Sequence, residues 1–109
     1  MGAVSVLIGD DVTGLVSTAA AVTNNHTGSV ITTEALAIAA GADYSFVLTD
    51  ANIAATSIVL VSIANGTNTT SYAVVHNITP ANGSVTFKVR NAHATVALNG
   101  TLVLSVIAL

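Results

Sequence analysis

The sequence predicts an all-β fold, an antiparallel β-sandwich preceded by an N-terminal arm, with the jelly roll among the arrangements that fit. Two observations lead there. Apolar and polar residues alternate with a period of two, most cleanly in "SVTFKVRN" (84–91), as in a strand with one buried face. Turn signals then punctuate the chain at short intervals (Ala-Gly-Ala at 40–42, Asn-Gly at 65, 82 and 99, Pro at 80) and leave little room for helix.

In chain order, residues 1–29 read as an arm. "GAVSVLI" is a short strand candidate, and "DDVTGLVSTAAAVTNNHTGS" is small, polar and without sustained periodicity. Residues 30–109 read as the sandwich. "VITTEALAI" (30–38) is a strand, and in "YSFVLT" Tyr44, Phe46 and Leu48 mark a core face. Asp50 and Asn52 place a turn or a single capped helical turn in "DANIAAT". "SIVLVSIA" (57–64) is apolar on both faces, which places it centrally or at an interface. "SYAVVHNIT" (71–79) returns after an Asn-Gly loop, and Pro80 is expected to end it. In 84–91, Val85, Phe87 and Val89 point inward, while Ser84, Thr86, Lys88 and Arg90 point outward. The last strand, "TLVLSVIAL" (101–109), sets Leu102, Leu104, Val106 and Ala108 on one face and Val103, Ser105, Ile107 and Leu109 on the other. The total is about seven strands.

Composition narrows the function. Of 109 residues 52% are hydrophobic and only 6% charged, so the surface must be built largely from small uncharged side chains, which suits protein contact. Two basic residues against a net charge of −3 cannot neutralise a run of phosphates, which argues against nucleic acid as a partner. With no cysteine there is neither disulfide nor thiolate metal site, and a small domain so built gains its stability most readily by oligomerising. The start lacks the basic region of a signal peptide, and no apolar run is long enough for a spanning helix, so no membrane partner is expected.

Chemistry-bearing motifs are lacking. His26, His76 and His93 stand far apart in sequence, and Asp10-Asp11 alone is a weak cation signal, so no metal or other cofactor is expected. No serine lies in a G-x-S-x-G elbow, and Glu34, Asp43 and Asp50 read as solvated or capping acids, so the protein is not expected to be an enzyme. Six N-x-[ST] triplets, beginning at Asn25, Asn65, Asn68, Asn77, Asn82 and Asn99, follow from turns rich in Asn, Gly and Thr.

Three stretches carry a family likeness: "AAGADYSFVLT", "TPANGSVTFKV" and "NAHATVALNGTLVLS". The likeness spans roughly residues 32 to 109, and these stretches resemble a pattern found in small virion proteins of tailed bacteriophages. The resemblance implies a capsid decoration (cement) protein, or the β-rich trimeric domain of a head or tail fibre. Decoration proteins of this type sit as trimers on the outer capsid surface at local three-fold positions and join neighbouring major capsid subunits. The short chain favours decoration over fibre, and the resemblance carries no catalytic residue.

Two expectations complete the reading. Exposing a second apolar strand face forfeits about 1.5–3 kcal/mol per large side chain. Val59, Val61 and Ile63, with Val103, Ile107 and Leu109, are therefore expected at an interface between copies, most simply a trimer. Asp10, Asp11, Lys88 and Arg90 are the candidates for coat contact, the basic pair meeting an acid such as Glu34 or Asp43 of a neighbour. The alternative is a binding module for host glycan, with a groove around Tyr72 and Asn68.

Overall fold

A computed structural model describes residues 11–109. Among them are ten strands and no helix. They are β1 (Asp11–Val16), β2 (Ala21–Thr23), β3 (Gly28–Thr32), β4 (Leu36–Ile38), β5 (Asp43–Thr49), β6 (Val59–Asn65), β7 (Ala73–Ala81), β8 (Ser84–Asn91), β9 (Leu98–Gly100) and β10 (Leu102–Ala108).

Two four-stranded sheets form the sandwich. Sheet A runs β1-β3-β10-β6 and sheet B runs β2-β5-β8-β7, with β4 and β9 as a separate pair. The organising feature is a long antiparallel ribbon. β3, β4 and β5 pair in succession with β10, β9 and β8, so one double strand starts in sheet A, bends through β4–β9 and finishes in sheet B. β6 and β7 then close the open side, β6 pairing with β10 and β7 with β8.

The ribbon's inward residues make the core. Ile31, Leu102, Leu104 and Val106 from sheet A meet Phe46, Leu48, Val85, Phe87 and Val89 from sheet B, with Leu36, Ile38 and Leu98 at the bend. Phe46 lies opposite Phe87 in register, and the rings stack 5.2 Å apart at 29°. Such a pair adds about 0.5–1.5 kcal/mol beyond the area it buries.

Several elements depart from the sequence expectation. Residues 11–29, read as an arm, enter both sheets: β1 edges sheet A and β2 edges sheet B. Both pair in parallel, β1 with β3 and β2 with β5, so the sandwich is mixed rather than wholly antiparallel. Pairing supplies what periodicity could not, since β1 breaks register between Val12 and Leu15 around Gly14 (φ 77°), a bulge that blurs any alternation. The run 30–38 is two strands, β3 and β4, split where Thr33 and Glu34 turn the ribbon. Pro80 lies inside β7 instead of ending it, because β7 is an edge strand and Pro80 sits where one missing N–H is tolerated. Asn99-Gly100 falls within β9 and makes no turn, whereas Asn82-Gly83 makes the tight β7–β8 connection with Gly83 at φ 87°.

Candidate interface

Each sheet turns one face outward, and the two faces differ in chemistry. On sheet B, β5 and β8 bring Asp43 opposite Arg90 and Ser45 opposite Lys88, while β7 brings His76 opposite Lys88. The Asp43 carboxylate accepts from Arg90 Nε at 2.9 Å and Nη2 at 3.3 Å, and its Oδ1 lies 3.0 Å from His76 Nε2. Arg90 first and His76 second hold the Asp43 pKa down to about 2. Arg90 is thus paired with Asp43 of its own chain.

Glu34 is likewise committed internally. Its carboxylate accepts from Ser17 Oγ, from Tyr44 Oη at 2.8 Å and from the Ala20 N–H at 2.8 Å. Burial by itself would raise its pKa, but these hydrogen bonds together outweigh that and leave it below 4.5. Burial and the adjacent carboxylate raise the pKa of the Tyr44 phenol. The cluster clamps the β1–β2 connection, where Ala19 and Ala20 take φ of 49° and 64°, conformations a non-glycine residue rarely holds without support.

Sheet A presents the opposite character. The β3–β10–β6 registers align Val103 with Thr32 and Ala64, Ser105 with Val30 and Ser62, and Ile107 with Gly28 and Leu60. Across β3, β10 and β6 this outward face carries no Asp, Glu, Lys or Arg. At its rim stand Val16 (64% exposed), Ile58 (62%), Leu60 (55%) and Leu109 (57%). Ile58 and Leu109 close the sheet by exchanging both backbone hydrogen bonds, at 3.0 and 2.8 Å.

Of the residues expected at an interface, Val103 and Ile107 are on this outward face and Leu109 is exposed beside them. Val59, Val61 and Ile63 are not. Register with Ala108, Val106 and Leu104 turns them inward, where they pack partly buried against the core. The outward residues of β6 are Leu60, Ser62 and Ala64, a choice of parity that a strand apolar on both faces leaves open. Asp10 lies outside the described residues, and Asp11 opens β1 at the edge of sheet A. Lys88 and Arg90 share the outward face of sheet B.

The polar corner around Tyr72 also took shape differently. Tyr72 is 58% exposed beside His93, their rings 5.7 Å apart. Asn68 is fully buried, its Nδ2 donating to Asn65 Oδ1 at 3.0 Å and to the Ser71 carbonyl at 2.8 Å. Asn91, missed by sequence reasoning, knots the same corner. It donates to the Ile38 and Val96 carbonyls at 3.0 and 2.8 Å, and accepts from Ser71 Oγ and the His93 N–H. Among the described residues no three His, Cys, Asp or Glu side chains gather where they could hold a metal ion. No protein-family model matches the chain, and comparisons with curated proteins and with solved structures return no match either.

Proposed function

We propose that this protein is a structural component of a virion, a capsid decoration (cement) protein that assembles as a trimer on the outer capsid surface and bridges major capsid subunits. The observation that carries the reading is the contrast between the two outward faces. Charge gathers on sheet B around Asp43, Lys88 and Arg90, while sheet A offers Val103, Ile107 and Leu60 to a dry contact. A monomeric surface rarely keeps such an apolar face in water.

The fold belongs to the same proposal. We read the ribbon rolled from one sheet into the other, with β6 and β7 closing it, as jelly-roll-like, a fold type that viral capsid domains use. The mechanism asks only for rigidity and repetition, because several weak patches held together bind a lattice far more tightly than one, and a ligand specific for the assembled shell stabilises that shell by mass action. The glycan-binding alternative loses support where Asn68, one of its two anchor residues, is buried and already hydrogen bonded.

Mass spectrometry of purified particles, with the native mass of the isolated protein, tests the reading. A native mass that is a multiple of three subunits, and co-purification with particles in fixed ratio to the coat protein, are expected. Its absence from particles would overturn the proposal.

A further inference from the structure

The edge that β6 presents is unlike the other three in the sandwich. β1 carries the register break at Gly14, β2 is three residues long, and β7 carries Pro80 and a second break at Asn77 (φ 55°). Such features are how proteins keep sheet edges from pairing with other chains. β6 has none of them. It runs seven residues in unbroken register with β10, from Val59 opposite Ala108 to Asn65 opposite Leu102, without a charge, a proline or a bulge. β7 approaches β6 from the other layer and shares no ladder with it.

The antiparallel ladder fixes which backbone groups stand open. Ile58 and Leu109 exchange hydrogen bonds, so Leu60, Ser62 and Ala64 also turn their N–H and C=O toward β10. Val59, Val61, Ile63 and Asn65 must turn theirs to the free side. Among the described residues no backbone group meets them there.

We propose that β6 pairs antiparallel with β6 of a second copy, about a two-fold axis passing through Ser62. The register follows from parity. Open backbone groups must meet open groups, and centring on Ser62 sets Val59 of one copy against Asn65 of the other and Val61 against Ile63, using the whole strand. On the outward face the same register lays Leu60 against Ala64 and Ser62 against Ser62, so no charge meets another. The two A sheets then form one eight-stranded sheet, in which the uncharged face of β3, β10 and β6 continues from one copy into the other. This pairing rests on the edge alone and is independent of the coat reading. A three-fold association through the outward face would be joined by it, giving assemblies with an even number of copies.

The chain has no cysteine, so a Ser62→Cys variant carries a single thiol. Across the axis Ser62 forms a non-hydrogen-bonded pair with Cα atoms about 4.5 Å apart, within reach of a disulfide. Ser105→Cys, one strand inward on the same face, would lie roughly 14 Å from its mate, three strand spacings away. Oxidised Ser62→Cys is expected to become a covalent dimer in high yield and Ser105→Cys to stay single. In Val61→Pro the missing N–H is one that points to the free side, so the fold should survive while the even-numbered native mass is lost.

Three results would each overturn the pairing. One is a wild-type native mass of a monomer or a bare trimer. Another is cross-linking at Ser105→Cys without cross-linking at Ser62→Cys, which means that faces meet instead of edges. The third is loss of assembly on deleting residues 1–10 while Ser62→Cys stays uncross-linked, which gives the edge to the chain's own leading segment. A cross-linked dimer that never binds particles would sink the coat reading and leave this one standing.

Discussion

Leu60→Lys and Leu104→Ala together separate the two faces of sheet A. Leu104 is fully buried, and truncating such a leucine costs about 3 kcal/mol. For a domain of this size that loss lowers Tm by roughly 12–24 °C. Leu60 is 55% exposed, so about half of the 1.5–3 kcal/mol available from burying a leucine is still to be gained on assembly. A lysine there forgoes roughly 1 kcal/mol in each of two copies and adds the cost of desolvating an ammonium, weakening association by a factor of about 30 or more. Sedimentation equilibrium reads the association, and calorimetry at a concentration where the wild type is dissociated reads the fold. The expected result is a crossed pattern: Leu60→Lys dissociates and melts normally, while Leu104→Ala melts early. If Leu60→Lys associates as the wild type does, or destabilises the single subunit as much as Leu104→Ala, the assignment of an outward contact face is wrong.

The clamp, the acid response and the loop crossing yield further predictions. Glu34→Ala strands the Ser17 hydroxyl (2% exposed), the Tyr44 phenol and the Ala20 N–H, and should cost about 3 kcal/mol in a urea titration, against about 1 for Glu34→Gln. Glu34 and Asp43 both titrate below their unfolded values of 4.5 and 3.8, so the stability they contribute is complete above those values and is lost as pH falls, for Asp43 between 3.8 and about 2. Carbon-13 NMR of Asp43 should show its midpoint move up toward 3.8 in Arg90→Ala, and an unmoved midpoint would remove Arg90 as the cause. At Gly66 an added Cβ would lie 2.9 Å from the Thr101 carbonyl oxygen, so Gly66→Ala should destabilise by about 1–3 kcal/mol, and Thr101→Ala should not rescue it because the backbone obstructs.

Local chemistry determined much of this molecule. Alternation in 84–91 set Val85, Phe87 and Val89 inside, Asn82-Gly83 set the β7–β8 turn, and the scarcity of charge left the outward face of β3, β10 and β6 without an ionised side chain. Each of these depends only on residues near one another in the chain. Tertiary pairing decided the rest. β1 and β2 have no pattern of their own and became strands because β3 and β5 offered them edges. On β6 the sequence could not say which apolar face turns inward, since either would bury well, and the ladder to β10 chose Val59, Val61 and Ile63 for the core. The Asp43–Arg90 and Glu34–Tyr44 contacts were hidden for the same reason: their partners meet only once the ribbon has rolled. Side-chain type is written along the chain, but which face is wet and which edge is open are properties of the register between strands distant in sequence, and register exists only in the folded sheet.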